Sequence, residues 1–250
     1  MNYIGKYGKN FVAISDNIEA DCHKHWLFQM FISCEKDLNI EVNGQIISSG
    51  AIIVNIDTPH IFCTEGEPHF TMLFDPTTEH GRKIKELLKG QPFYIFQQEE
   101  TDLMQRTFIN VLKQISHDTI NSFVQSIFFQ LPYSNMQSFD NRVMQVLNLL
   151  DDCTHEDELH KIKHFSKTIG LSESRLAHLF KKEIGIPLKS YIVLHKLQRA
   201  YQLILNGENI TTAALDAGFD SPSHLAYTNK IITGMTATNI IRDSEFLKVF

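Results

Sequence analysis

The sequence predicts an α+β protein: a small strand-rich sandwich or barrel, then a helical connector, then an all-α C-terminal part with two helix-turn-helix motifs. Three observations carry that expectation. The hydrophobic period changes after Pro76 from about two residues to about 3.6. Two C-terminal segments resemble one another at an offset of 48 residues, Gly170 matching Gly218 and Lys182 matching Lys230. Charge is also divided. Residues 1–154 hold 11 Lys+Arg against 19 Asp+Glu, a balance of −8, whereas 159–242 hold 11 against 5, or +6.

The 250 residues are 43% hydrophobic and 21% charged, with a formal net charge of −6. That composition excludes global disorder. Apolar runs such as Ala51–Val54 and Phe70–Phe74 fall far short of the ~20 residues of a membrane span. No long apolar core follows the charges of the N-terminus, so no signal peptide is expected. Cys22, Cys34, Cys63 and Cys153 form no CxxC pair and read as free thiols in a reducing cytosol, which predicts a cytoplasmic protein. Taken whole, the acidic balance argues against a nucleic-acid partner; taken by halves, it argues so only for the first.

From Phe11 to Asp75 the chain reads as short strands. Phe28–Ile32 is β-rich, Asn39–Val42 alternates, Asn43-Gly44 supplies a type I′ hairpin turn, and Gln45–Ile47 returns. Ala51–Val54 is a buried strand, and Ile61–Cys63 and Phe70–Phe74 follow. Gly81–Lys89, Thr101–Ser116 and Asn121–Leu131 carry helical spacing, and Pro132-Tyr133-Ser134-Asn135 reads as a linker.

Beyond Asp140 every readable element is helical. Leu159–Thr168 ends at Gly170, and Ser172 caps a helix over Glu173–Glu183 that stops at Gly185 and Pro187. A helix from about Leu188 to Leu205 leads to the second unit. There Thr211–Ala217 ends at Gly218, and Ser221 caps a helix with Pro222 at its first position. Each unit is helix, Gly turn, helix. The first places Leu176, Leu179 and Phe180 inside and leaves Ser174, Arg175, His178, Lys181 and Lys182 outside, a basic face suited to phosphates and base edges.

The stretch from Gly170-Leu171-Ser172 to Phe180 and Gly185 resembles the first helix-turn-helix of AraC/XylS-type transcriptional regulators. Tyr191, Lys196-Leu197 and Ala200 match the linker helix, and Ala213, Ala217-Gly218-Phe219 and Lys230 match the second motif, so the resemblance covers Asp140 to about Arg242. It implies two motifs reading consecutive major-groove segments of promoter DNA about 34 Å apart. Carried over by position, Ser174, Ala177 and His178 face bases in the first motif, and Pro222, Ser223, Ala226 and Tyr227 in the second. Arg175, Lys181, Lys182 and Lys230 are expected on phosphates. The chain departs from the pattern at Leu225 and Asn229, where the family usually has Phe, at Ala237, and at Ile240-Ile241-Arg242. A buried Asn must find a partner, so a looser second motif is expected.

The common partner domain in that family is a cupin-like β-barrel that senses a small molecule, which assigns the N-terminal half. His23-Lys24-His25 is an HxH pair that a strand would turn to one face, Gln29 stands where metal-binding cupins usually carry Glu, and His60 corresponds to the later cupin histidine. Two readings stay open: a divalent metal (Zn, Ni, Fe or Mn), or an effector pocket of His23, His25, Gln29 and His60 with Trp26 or Phe31 nearby.

The expected organisation is a cupin-like effector-sensing barrel at 1–78, a helical connector with a dimerisation role at 79–135, and the tandem DNA-binding domain at 140–242. Partners expected are double-stranded promoter DNA, a small-molecule effector, RNA polymerase and a second copy of the chain, with no membrane and no cofactor required. The rivals are a metal-dependent cupin enzyme with a helical appendage and an adaptor whose second motif has decayed.

Overall fold

Period-two segments become strands in a computed structural model, which describes residues 2–132, 138–152 and 161–235 and the backbone of 245–247. The chain divides into two units, Met1–Ser134 with Asn229–Phe250, and Asn135–Thr228. The first carries strands β1 (Asn2–Tyr7), β2 (Asn10–Ser15), β3 (Glu19–His23), β4 (Phe28–Ser33), β5 (Leu38–Val42), β6 (Gln45–Ser49), β7 (Ala51–Val54), β8 (His60–Cys63), β9 (His69–Phe74), β10 (Phe93–Ile95) and β11 (Glu245–Leu247). Three helices accompany them: α1 (Glu79–Leu88), α2 (Gln98–Lys113) and α3 (His117–Gln130).

The strands form two sheets. The larger runs β10-β7-β4-β9-β2-β1-β11 and the smaller β3-β8-β5-β6. All pairings are antiparallel except β1 with β11, where Tyr3 stands opposite Glu245. The β5–β6 turn passes through Asn43 (φ 52°) and Gly44 (φ 79°), the positive angles a type I′ turn requires.

Alternation along β4 and β9 splits the core. Phe28, Met30, Ile32, Phe70, Met72 and Phe74 pack with Met104, Phe108, Phe123 and Ile127 of the helices. On the opposite face Phe31, Ile52 and Val54 meet Leu38, Ile40, Val42 and Phe62 of the smaller sheet. The unit is therefore layered as small sheet, large sheet and helices. The apolar faces of α2 and α3 are covered by their own sheet, with Phe129 (92% exposed) left outside.

The second unit is helical: α4 (Asn141–Asp151), α5 (Ile162–Ile169), α6 (Glu173–Ile184), α7 (Leu188–Leu205), α8 (Ile210–Asp216) and α9 (Pro222–Thr233), the last of which ends among residues grouped with the first unit. The expected α+β class holds, with the linker helix at the expected bounds. Expectations on Tyr133–Asn135, Leu159, Ala237 and Ile240–Arg242 lie outside the described residues. Among the described residues no helix is long and apolar enough to cross a membrane.

Candidate DNA-reading faces and an imidazole cluster

The two C-terminal turns are built by the same local bonds. After α5, Gly170 takes φ 72° and the Leu171 amide returns to the Ser166 carbonyl at 3.0 Å. After α8, Gly218 takes φ 82° and the Phe219 amide returns to the Ala214 carbonyl at 2.9 Å. These reach-back bonds satisfy carbonyls at a helix end and need a left-handed residue, which glycine supplies without steric cost. Ser172 Oγ accepts from the Arg175 amide at 3.3 Å, and Ser221 Oγ accepts from the His224 amide at 3.1 Å. Lys196 of α7 donates its ammonium to the Gly218 carbonyl, tying the linker helix to the second turn.

Helix α6 buries Leu176, Phe180 and Ile184 and exposes Ser174, Arg175, His178, Lys181 and Lys182, with Ala177 half-buried. Helix α9 exposes Ser223, Ala226 and Tyr227 and half-buries Pro222. Lys230 is exposed too, but its ammonium lies 3.6 Å from Asp21 Oδ2 within the first unit. Asn229 is fully buried, and its amide nitrogen donates to the Met235 carbonyl at 2.9 Å. The expected looseness of the second motif therefore has no basis at this residue: the polar group is buried with a partner.

In the first unit, His23, His25 and His60 converge, one ring nitrogen of each lying within 4.8 Å of the others. The strand geometry expected for HxH is corrected. β3 ends at His23 after a register shift between Ala20 and His23, and His25 sits in the following loop, held by an Asp57 amide that donates to its carbonyl at 2.7 Å. Trp26 is half-buried in the same loop. Convergence comes from that loop folding back, not from strand alternation.

Each imidazole is oriented through Nδ1, which faces a main-chain carbonyl: Asp21 for His23 at 2.8 Å, Leu27 for His25 at 2.9 Å, Thr58 for His60 at 2.8 Å. An oxygen at such a distance requires Nδ1 to carry the proton. For His25 the Leu27 amide also stands 3.3 Å from Nδ1, and the shorter carbonyl contact decides. Gln29 Oε1 stands 2.8 Å from His25 Nε2 and 3.0 Å from His60 Nε2. Burial pushes His25 down to about 4 and His60 to about 3, and lowers His23.

Two polar residues near this cluster were not anticipated. On β9, His69 and Thr71 alternate with Phe70 and Met72, so they share the sheet face of Phe31, which is paired with Thr71 across the ladder. The His69 ring lies 4.7 Å from Phe62 and 6.4 Å from Phe31. Its nitrogens and Thr71 Oγ1 are buried without a hydrogen bond of good geometry. The signal was legible: two polar side chains at period two inside an otherwise apolar strand.

Residues 165–243 match a family described as a helix-turn-helix domain. No curated protein matches the sequence. Among solved structures the chain is similar to an apo variant of ToxT from Vibrio cholerae strain SCE256, at 10% identity and a TM-score of 0.60, over 95% of this chain and 98% of that one. It is similar to unsaturated fatty acid-bound wild-type ToxT of the same strain, at 11% identity and a TM-score of 0.56, over 93% and 94%. It is also similar to ToxT from Vibrio cholerae O395 bound to (E)-4-(8-methylnaphthalen-1-yl)but-3-enoic acid, at 10% identity and a TM-score of 0.57, over 93% and 97%. At these identities the likeness concerns the fold, and the DNA-binding assignment rests on the domain match, which takes in both capped, glycine-turned motifs. Residues 165–243 form a helix-turn-helix domain of the kind found in AraC/XylS-type transcriptional regulators.

Proposed function

We propose that the chain reads promoter DNA with both motifs and that a small molecule held in the N-terminal sandwich changes how tightly it does so. The observation that carries the DNA reading is the division of α6: three apolar residues fully buried on one side, three cations and His178 exposed on the other. In this reading Ser174, Ala177, His178, Pro222, Ser223, Ala226 and Tyr227 face bases, and Arg175, Lys181 and Lys182 face phosphates, whereas Lys230, expected there too, is taken up by Asp21 at 3.6 Å.

Support for an effector comes from polar groups converging in an apolar interior, His23, His25, Gln29 and His60 at one end and His69 and Thr71 beside Phe31 and Phe62. The fatty acid in a ToxT structure of the same fold supports it as well. The role of 1–78 is then sensing, that of 79–135 connection and dimerisation, and that of 140–242 DNA binding, in a cytoplasmic regulator that works with RNA polymerase and has no catalytic step of its own. The effector must favour one DNA-binding state to have any effect.

The test is binding of the full chain to a promoter fragment selected from genomic DNA. Arg175→Ala and His178→Ala should each weaken retention about tenfold, with His178→Ala also relaxing sequence preference. Unchanged retention in both variants across salt concentrations refutes the reading.

A further inference from the structure

We infer that the two motifs read related half-sites, so that the promoter element repeats one thymine-bearing step at a spacing of about 10 base pairs. The inference rests on the DNA reading above and deepens it by naming the class of sequence the element carries.

The caps set the register between the motifs. Ser172 Oγ accepts the Arg175 amide and Ser221 Oγ accepts the His224 amide, each three residues on. The second turn is one residue longer, so from the caps onward the motifs align at an offset of 49 residues rather than 48. Two further pairs agree with that register. Leu176 and Leu225 are both buried, and α6 and α9 are each followed by a glycine of positive φ, Gly185 at 99° and Gly234 at 68°. The stretch Ser174-Arg175-Leu176-Ala177-His178 then lies on Ser223-His224-Leu225-Ala226-Tyr227. Ser174 and Ser223 are both exposed, and Ala177 and Ala226 follow three residues later on the same side of their helices. Arg175 is matched by His224, whose Nδ1 lies 3.1 Å from Asp220 Oδ2 and whose ring stands edge-on to Phe219 at 5.3 Å. Those contacts hold His224 against the turn, and residues two apart, such as His224 and Ala226, do not share a helix face.

A hydroxyl and a methyl are what the two faces share. Alanine makes no hydrogen bond, and its apolar partner in the major groove is the thymine C5 methyl, whereas a serine hydroxyl can donate to or accept from any base edge. The pair therefore selects a thymine-bearing step in each half. On α9 no stronger reader competes with it. The amide that could take adenine, Asn229, is fully buried and bonded to the Met235 carbonyl, and a bidentate guanine contact needs an Arg or Lys, whereas Lys230 faces Asp21. The halves should differ at the neighbouring step. There His178 can donate a ring N–H to a purine N7 or O6, whereas Tyr227 brings one hydroxyl on a large apolar ring.

The experiment selects duplexes of randomised sequence on the full chain and sequences those retained. The expected result is enrichment of two half-sites about 10 base pairs apart, alike at a thymine-bearing step and unlike beside it. Replacing the shared thymine by deoxyuridine removes one methyl and should weaken retention about fourfold in either half. Ala226→Gly removes the partner methyl, so the difference between thymine and uracil should vanish in one half and persist in the other. Ala177→Gly should do the reverse. Comparing two DNAs on one protein cancels any loss of helix stability caused by the glycine. His178→Tyr should draw the neighbouring step of the first half-site towards that of the second. Enriched sites with unrelated halves, or retention insensitive to uracil in both halves, overturn the repeat and leave the DNA reading standing. No enrichment by the wild type overturns that reading, and the repeat with it.

Discussion

Asn229 stands fully buried on α9, where an unpaired amide would cost more than the packing around it returns. Its bond to the Met235 carbonyl makes it a clasp between the helix and the chain just beyond it. Asn229→Leu keeps the approximate volume and removes the donor, so the expected loss is about 1–3 kcal/mol, read as a lower urea midpoint. An unchanged midpoint would show that the clasp adds nothing. His69 makes the complementary case, a buried imidazole without a good partner. Burial holds it down to about 4, with the Ser15 main chain and Asp16 opposing. Between its ordinary value near 6.5 and about 4 the unfolded chain takes up a proton that the folded chain refuses. Stability from this group is therefore intact above pH 6.5 and is lost as pH falls towards 4, by up to about 3 kcal/mol. His69→Phe should shrink the drop in thermal midpoint between pH 7 and pH 5. A drop as large as in wild type would assign the acid sensitivity to other groups.

At the scale of elements, the parts written by local chemistry were legible in the sequence. The sequence marks Ser172 and Ser221 as caps, and each accepts the amide three residues on. Ser172→Ala should lower the midpoint of the second unit by about 1 kcal/mol, whereas Ser172→Asp, which keeps the acceptor, should hold it. Equal losses in both variants would argue against a capping role. Elements defined by distant pairing were not legible. β1 holds Gly5 between tyrosines with no clear period, β10 is only three residues, and β11 exists through its parallel register with β1 some 240 residues away, which no local window contains. The imidazole cluster was half legible. The residues the sequence groups, His23, His25, Gln29 and His60, do converge, but not along a strand, because the bulge in β3 ends the ladder at His23. His69 is hard to read locally because it directly precedes Phe70 in an otherwise apolar strand, so its inward face shows only from the pairing of β9 with β4.

At the scale of the molecule, a net charge of −6 conceals how unevenly the two motifs are charged. From Lys161 to Arg199, nine Lys+Arg stand against Glu173 and Glu183 alone. From Ile210 to Thr233, Lys230 is the one cation beside Asp216 and Asp220, and Lys230 already faces Asp21. On the proposed reading, α9 would bring Ser223, Ala226 and the 68% exposed Tyr227 to bases and methyls without displacing counterions. Salt dependence on DNA should therefore come almost entirely from the first motif. Each phosphate contact contributes a slope of about −0.9 in a plot of log K against log salt. Replacing Lys181 and Lys182 together by Gln should reduce the slope by about 1.8, whereas Lys230→Gln should leave it nearly unchanged and Tyr227→Ala should weaken binding equally at every salt concentration. The measurement is fluorescence anisotropy of a labelled promoter fragment over a NaCl series. A Lys230→Gln slope reduced as much as that of the double variant would show that both motifs engage the phosphates alike.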